Sequence, residues 1–454
     1  MNDKLTVVIL AAGLGTRMKS RKAKVLHEAG GLPLVEHVVL SALALAPADR
    51  VVVVVGHQAE QVEAQLSHYN VRFVRQTDQR GTGHALSVCR DAVPDHEGQL
   101  VVLYGDCPLL QQSTLETLLQ THAAQRVAAT VITTELDDPT GYGRMIVDQN
   151  RNVQAIVEHK VATPEQRAVR EINSGIYSFE APLLWKHLPE IEPNPISGEY
   201  YLTDIVEILN RAGHRVHALL HRDASELLGI NTRVELAEVD RIFRQRKVRE
   251  LMLEGVTIQR PETVTIDRSV RIGMDTIIEP FVRILGSTHV GENCRIGAGA
   301  ILEDAEIADQ VDIAPYTIVR TSSIGERASI GPFARLRQNN MVGAGAHIGN
   351  FVELKNTHFG EGVKAGHLAY LGDAEIGPGT NVGAGTITCN YDGVKKHKTK
   401  VGSSAFLGSN STLVAPISIG DGAYVGAASV VTDDVPADAL ALGRARQVVK
   451  EGWA

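Results

Sequence analysis

Apolar residues in the first half of the chain come in short unbroken runs. Residues 5–10, 51–55, 100–103 and 128–133 are apolar or β-branched throughout, and residues 71–74 are broken only by Arg72. Runs of this length suit strands covered on both faces, with the longer mixed stretches between them forming helices. The first half is therefore expected to fold as a doubly wound, Rossmann-like α/β sheet. From about residue 264 the period changes to six. Ile272-Gly273, Ile278-Glu279, Val290-Gly291, Ile296-Gly297, Ile330-Gly331, Val342-Gly343 and Ile348-Gly349 place an aliphatic residue, then usually a glycine, on one frame. Five-residue steps run from Leu302 to Ile307, Val319 to Ile324, Leu354 to Phe359 and Leu371 to Ile376, and the frame resumes at Val401, Leu407, Leu413, Ile419, Val425 and Val431. Roughly 28 such turns can be counted, and only Ala365 and Thr388 lack Val, Ile, Leu or Phe at the lead position. Three six-residue faces per coil predict a triangular prism of parallel β-coils, about nine coils long. Residues 389–400 interrupt the frame and are expected to leave the prism as a loop, where function tends to gather. Between the halves, Leu236, Val239, Ile242, Phe243 and Leu251 recur at helical spacing, and Gly255 is a natural cap. The spacing predicts one helix over residues 233–254. The expected domains are 1–230, a linker helix 231–255, and 256–454.

Glycine usage supports that division, with 14 of the 42 glycines in residues 1–228 and 28 in residues 229–454. The 454 residues are 44% hydrophobic and 22% charged, with a net charge of -8, which suits a soluble globular protein rather than a disordered or collagen-like one. A mildly acidic chain has no general pull on phosphate backbones, so broad nucleic-acid binding is disfavoured. No apolar run approaches the ~18 residues of a membrane span. The start, Met1-Asn2-Asp3-Lys4, lacks the positive character of a signal peptide. Cys89, Cys107, Cys294 and Cys389 stand far apart, which supports neither a disulfide framework nor a zinc site and points to a cytoplasmic protein with reduced thiols.

Two segments of the first half can carry chemistry. Residues 10–18 follow the first strand and are rich in small residues, so their backbone N–H groups can approach a phosphate. They match neither standard phosphate fingerprint: Met18 occupies the third glycine position, and no Gly-Lys-Ser/Thr ends the loop. Arg17 and Lys24 are placed to supply positive charge instead. Asp106 lies just past a buried strand, where open α/β sheets gather ligands, and a carboxylate facing a triphosphate usually holds Mg²⁺. On these features alone, a tight strand-to-helix turn and a helix-capping aspartate remain open.

Motif by motif, the chain resembles a known family. The segments are LAAGLGTRM (10–18), KVLH (24–27), QRGTGHA (79–85), YGDCPLL (104–110), DDPTGYGR (137–144), IVEHK (156–160), EINSG (171–175) and GEYYLTD (198–204). In the prism they are GPFARLR (331–337), GNFVELK (349–355), KAGHLAYLGD (364–373) and NVGAGTITCNYDG (381–393). The first half resembles the sugar-1-phosphate nucleotidyltransferases. The whole chain is similar to the bifunctional bacterial enzymes that join a UDP-N-acetylglucosamine pyrophosphorylase to a glucosamine-1-phosphate N-acetyltransferase.

The resemblance implies a left-handed parallel β-helix of hexapeptide repeats behind the Rossmann-like domain. It implies that Leu10, Ala11, Ala12 and Gly13 border UTP, that Gln76, Gly81 and Thr82 read the uracil edge, and that Lys24 and Arg17 neutralise the triphosphate. Asp106 and Asn231 would hold Mg²⁺, with Tyr104 and Gly105 beside them, and Gly143, Glu158 and Asn173 would bind the N-acetylated sugar. In the prism, His367 would be the general base of acetyl transfer. Arg337, Lys355, Tyr370 and Lys396 would bind the sugar phosphate, and Asn381, Asn390 and Tyr391 would line the amine site. Ala384, Ser409, Ala427 and Arg444 would contact acetyl-CoA, together with Asn390 and Tyr391, in a homotrimer whose grooves lie between prisms. The product, UDP-N-acetylglucosamine, would supply peptidoglycan and lipopolysaccharide synthesis.

The chain departs from the family pattern at Ala23, where proline usually precedes the lysine, and at Leu14, often polar. Gln338-Asn339 replace Pro-Gly, a change able to shift Arg337, and Ala445-Arg446 alter a tail that usually contains proline. Two other readings share the architecture: a single-activity nucleotidyltransferase with a purely structural β-helix, and a non-enzymatic regulatory subunit. The set Lys355, His367, Asn390 and Tyr391 argues against the first, and Arg17, Lys24, Asp106 and Asn231 against the second.

Overall fold

The computed structural model describes residues 4–93, 97–159, 161–195 and 197–453, so residues 1–3 and Lys160 of the IVEHK segment lie outside it. The chain folds as two compact units, Met1–Arg241 and Ile242–Ala454.

In the first unit the apolar runs, joined by Val216–Leu220 and Glu171–Glu180, form a sheet in the order Val216–Leu220, Ala129–Glu135, Glu171–Glu180, Gln99–Tyr104, Leu5–Ala11, Val51–Val55, Arg72–Arg75. Alternation along Leu5–Ala11 divides the core in two. Leu5, Val7, Ile9 and Ala11 pack with helices Leu34–Leu43, Ala59–Leu66 and Gln112–Gln125 on one face. Val8 and Leu10 pack with helices Thr82–Ser87, Ala181–His187 and Asp204–Arg211 on the other. Both faces are dry, which is why these strands read as unbroken apolar runs.

Leu5–Ala11 pairs in parallel with Val51–Val55 on one side and Gln99–Tyr104 on the other. The chain first builds outward through Val51–Val55 and Arg72–Arg75, then returns to the other side of the first strand. That reversal makes a switch point at the carboxyl ends of Leu5–Ala11 and Gln99–Tyr104, where ligand crevices form. One strand departs from a simple parallel sheet. Glu171–Glu180 runs antiparallel to both neighbours, and its register with Ala129–Glu135 shifts between Asn173 and Tyr177. A hairpin of Arg144–Val147 and Val153–Val157 hangs off it.

The second unit is a parallel β-helix with three sheets of 11, 10 and 9 strands, each coil pairing with the next. Its axis is a column of lead residues, among them Ile278, Ile296, Ile313, Ile330 and Ile348, each at most 1% exposed. The two exceptions fit for different reasons. Ala365 is fully buried, while the Thr388 hydroxyl accepts from Gly372 N–H at 2.8 Å and donates to Gly372 C=O at 3.1 Å.

The prism begins earlier than the period of six indicated, at Thr257–Ile258, because a short helical turn at Pro261–Thr263 breaks the six-residue step. The interrupting loop is also narrower. Cys389 pairs with Val414, and Lys400 with Ser418, leaving residues 390–398 outside the strands. The linker helix is Arg233–Leu253, with the division between the units inside it. It starts with a capping box: Thr232 Oγ1 accepts from Glu235 N–H at 3.2 Å, and Glu235 Oε2 accepts from Thr232 N–H at 2.8 Å. Gly255 follows the helix at φ +97°, a conformation that favours glycine.

Candidate functional site

At the switch point, four distant segments bring their polar side chains together. The Lys24 ammonium is paired with the Asp106 carboxylate and also donates to Asn231 Oδ1 at 3.2 Å. Arg17 Nη2 donates to the same Asn231 oxygen at 2.8 Å. Each partner is positioned by its own element. Asp106 follows Gln99–Tyr104, and its carbonyl accepts from Ile230 N–H at 3.0 Å, which draws Asn231 alongside. Asn231 N–H is held at 2.5 Å by Glu235 Oε2, the capping carboxylate of the linker helix. Lys24 opens a short turn, Lys24–Leu26, whose Val25 and Leu26 are buried. Gly15 is required beside it: its φ is +59°, and a Cβ there would lie 2.5 Å from Lys24 Cβ.

The small-residue loop has the space the sequence suggests. A side chain at Gly13 would meet no atom within 4 Å, so the backbone faces open space. Leu10, Ala11 and Ala12 are buried beneath it, and Gly105 packs on Ala11, where a Cβ would come within 3.1 Å. Gln76 is buried at the end of Arg72–Arg75, its Nε2 within reach of Gly81 C=O at 3.1 Å and His84 Nδ1 at 3.0 Å. Thr82 Oγ1 accepts from Leu202 N–H at 3.0 Å. Burial pushes the Tyr104 phenol well above its usual range, against the pull of its bond to Thr82.

The three residues expected around a sugar also meet. A Cβ on Gly143 would lie 3.6 Å from Glu158 Oε1 and 3.9 Å from Asn173 Cβ, and Asn173 N–H donates to Gly143 C=O at 3.0 Å. The register shift explains the place of Asn173: its Oδ1 accepts from Gly175 N–H at 2.9 Å and Tyr177 Oη at 3.1 Å. Gly175, at φ +82°, lets the backbone lie against the Tyr104 ring, which a Cβ would approach to 2.6 Å.

In the prism, neighbours are one coil apart. His367 is exposed, and its Nδ1 lies 2.7 Å from Asn350 Oδ1. An amide oxygen only accepts, so Nδ1 carries the proton and Nε2 is left with its lone pair free to accept one. Asn350 was not singled out from the sequence, yet it pairs with His367 in register. Asp373 was missed as well. Its carboxylate accepts from Asn356 Nδ2 at 2.7 Å and Asn390 Nδ2 at 2.5 Å, tying the loop to the coil below.

Contact with Lys396, then burial, holds the Lys355 ammonium below its usual range while Asp373 pulls the other way; Arg337 adds to the positive field. Arg337 Nη1 is 3.3 Å from Glu353 Oε1, and Tyr370 pairs in register with Glu353. Tyr391 turns into its own loop and donates to Gly393 C=O at 2.6 Å. Asn381 pairs with Lys364 in the His367 sheet. Ala384 and Ser409 lie on successive coils, with Asn410 N–H donating to Ala384 C=O at 2.7 Å, and Ala428 N–H to Ser409 C=O at 2.7 Å beside Ala427. Arg444 is exposed beyond the last strand, Leu440–Ala441, next to Gly443, whose C=O accepts from Val430 N–H at 3.0 Å and whose N–H donates to Ser429 Oγ at 3.1 Å.

Two departures are accommodated. Asn339 takes the left-handed conformation at φ +59°, which Asn tolerates best after glycine, and Arg337 N–H keeps its ladder bond to Leu354 C=O at 2.9 Å. Ala23 uses the N–H that proline would lack, donating to Gln58 Oε1 at 2.6 Å.

Fold and site together define a nucleotidyltransferase joined in one chain to a hexapeptide-repeat acyltransferase. Residues 7–171 match the MobA-like NTP transferase domain, 260–356 the GMPPB C-terminal domain, and 398–433 the hexapeptide repeat of succinyl-transferase. The bifunctional protein GlmU of Solibacter usitatus (strain Ellin6076) is 59% identical over 454 residues, covering 100% of this chain and 97% of that protein. GlmU of Koribacter versatilis (strain Ellin345) is 48% identical over 456 residues, 100% of this chain and 97% of that protein. GlmU of Acinetobacter baylyi (strain ATCC 33305 / BD413 / ADP1) is 46% identical over 448 residues, 99% and 98% of the two chains. The chain belongs to the GlmU family of bifunctional enzymes. It combines uridylyl transfer with acetyl transfer to make UDP-N-acetylglucosamine.

Proposed function

We propose that the prism first acetylates glucosamine-1-phosphate and that the first unit then transfers uridylyl from UTP to the N-acetylated product, releasing pyrophosphate. The convergence of Arg17, Lys24, Asp106 and Asn231 from four segments carries this reading. Phosphoryl-type transfer depends on position and charge stabilisation, and both are at hand. Leu10, Ala11, Ala12 and Gly13 border the nucleotide. Gln76 directs its Nε2 into the protein, which leaves Oε1 to accept from the uracil N3–H, with Gly81 and Thr82 beside it. Gly143, Glu158 and Asn173 receive the acetamido sugar, whose phosphate oxygen attacks the α-phosphorus in line as Lys24 and Arg17 stabilise the departing pyrophosphate.

The residues also suit a divalent cation. Asp106 Oδ2 and Asn231 Oδ1 both reach the Lys24 ammonium, so two oxygens converge on one cation position. Asp106 and Asn231 would hold Mg²⁺, which takes few protein oxygens and completes its shell with phosphates and water, and it would neutralise triphosphate charge.

At the prism, Arg337, Lys355, Tyr370 and Lys396 take the sugar phosphate, and Asn381, Asn390 and Tyr391 surround the amine. Asn350 holds the tautomer of His367, whose Nε2 removes the ammonium proton; the freed amine then attacks the thioester carbonyl of acetyl-CoA. Ala384, Ser409 and Ala427 offer a surface of small residues for acetyl-CoA, with Asn390, Tyr391 and Arg444.

The assembly is a homotrimer through the prism. Support comes from one exposed corner where Tyr316, Phe333 and Phe351 stack with centroids 5.3 and 5.5 Å apart, a contiguous apolar ladder of the kind that marks an interface. The free cysteines suit the cytoplasm, and no helix among the described residues is long and apolar enough to cross a membrane. The product feeds peptidoglycan and lipopolysaccharide synthesis. Incubation with glucosamine-1-phosphate, acetyl-CoA, UTP and Mg²⁺ should yield coenzyme A, pyrophosphate and UDP-N-acetylglucosamine by mass. Failure to convert supplied N-acetylglucosamine-1-phosphate would overturn the assignment of the first site.

A further inference from the structure

Lys24 sits on a segment braced by a side chain from elsewhere in the sheet. Ala23 is the residue before the Lys24–Leu26 turn, and its carbonyl accepts the first hydrogen bond of that turn, from Leu26 N–H at 3.0 Å. Its own N–H donates to Gln58 Oε1 at 2.6 Å, while Gln58 Nε2 donates to Arg21 C=O at 2.7 Å. One amide therefore grips the backbone on both sides of Lys22. The grip is itself anchored. Gln58 caps helix Ala59–Leu66 at φ +55°, and Gly56, two residues before, lies so close to the nucleotide loop that a Cβ would come within 2.8 Å of Ala12 C=O.

We infer that Gln58 is a positioning residue for uridylyl transfer: its amide fixes residues 21–23 so that the Lys24 ammonium is preorganised at the phosphate site. The inference rests on the reading of Lys24 given above. The geometry also says what replaces the clamp. Ala23 has φ −53°, inside proline's range, so proline fits there and stiffens the segment without an N–H to be held.

Gln58→Asn is the direct test. Asn tolerates the left-handed conformation and the cap position, but its amide is one methylene too short to grip both groups. The expected result is a fall of about tenfold in uridylyl-transfer kcat, with the KM for UTP within about threefold and the acetyl-transfer rate unchanged. Ala23→Pro alone should stay near wild type, and adding it to Gln58→Asn should restore most of the lost kcat. A purely structural role predicts a lower melting temperature and no rescue. Lys24→Ala separates the two readings. If Lys24→Ala is inactive while Gln58→Asn keeps full kcat, or if Ala23→Pro is active alone yet rescues nothing, the clamp is wrong. If Lys24→Ala retains full uridylyl transfer, the role of Lys24 fails instead.

Discussion

The two candidate sites are assembled by opposite rules. In the first unit the cluster joins Lys24 to Asp106 across 82 positions and Arg17 to Asn231 across 214. In the prism, Asn350 meets His367 across 17 positions, and Asp373 meets Asn356 and Asn390 across 17 each. A doubly wound sheet collects the loops at the ends of several strands, so its site depends on the whole topology. A coil repeats, so each side chain finds its partner one turn away. The first site should thus be sensitive to how the sheet is assembled, the second to local stacking.

The sharpest test of that contrast removes one group from each site. Asp106→Asn takes away the carboxylate that pairs with Lys24 and would hold Mg²⁺. Uridylyl transfer should fall by ~10³-fold or more, as removal of key electrostatic groups does, with acetyl transfer unchanged. His367→Ala should do the reverse, lowering acetylation kcat by ~10²–10⁴-fold while N-acetylglucosamine-1-phosphate is still uridylylated at the normal rate. Steady-state kinetics on each half-reaction, beside thermal melting, checks both. Parallel loss of the two activities in either folded variant would end the idea of independent sites.

A smaller effect is expected from Asn350→Ala. It leaves the His367 ring in place but frees Nδ1, so the tautomer is no longer held. Acetylation kcat should drop roughly 10–100-fold, in the range seen when a group orienting a histidine is lost. An unchanged acetylation kcat in a variant of normal stability would leave Asn350 with a structural role only.

Legibility in the sequence followed the same contrast. The axis of the prism could be read residue by residue; one coil back from His367 and Asp373 lie Asn350 and Asn356, and one coil on from Asp373 lies Asn390. What hid the first coil was the three-residue turn Pro261–Thr263, which breaks the step of six. In the first unit the apolar runs marked five strands, but the parallel Val216–Leu220 and the antiparallel Glu171–Glu180 escaped. In the latter, polar Asn173, Ser174 and Gly175 interrupt the apolar pattern where the register shifts. The loop after the first strand stood out through its small side chains, whereas Gln58 carries no local signal. Its role exists only because the sheet brings residue 58 to residues 21–23.

The next comparison concerns stability. His122 is 1% exposed at the side chain, bonded at Nδ1 to Thr130 Oγ1 at 3.0 Å, and burial lowers its pKa to about 4. Its folded pKa lies below the unfolded value of ~6.5, so unfolding takes up a proton as pH falls. Stability of the first unit should therefore decline through the window from ~6.5 to ~4, by on the order of 3 kcal/mol from this group. Denaturant melts followed by a probe in each unit should register the decline in the first unit, and His122→Gln should flatten it. A slope unaltered by the substitution would mean that other groups dominate.

The smallest expected effect is at a coil corner. Asn339 holds φ +59° between Arg337 and the next strand, and its N–H donates to Thr321 C=O at 2.8 Å. Asn339→Gly removes the cost of a Cβ in that conformation but loosens the unfolded chain, and the two terms oppose each other. The net change should stay below ~1 kcal/mol. Arg337 is held by its own ladder bond to Leu354, so the KM for glucosamine-1-phosphate should stay within about twofold, for lack of any lost contact. A larger KM shift in a variant of normal stability would show that the corner, and not only the coil ladder, sets the position of Arg337.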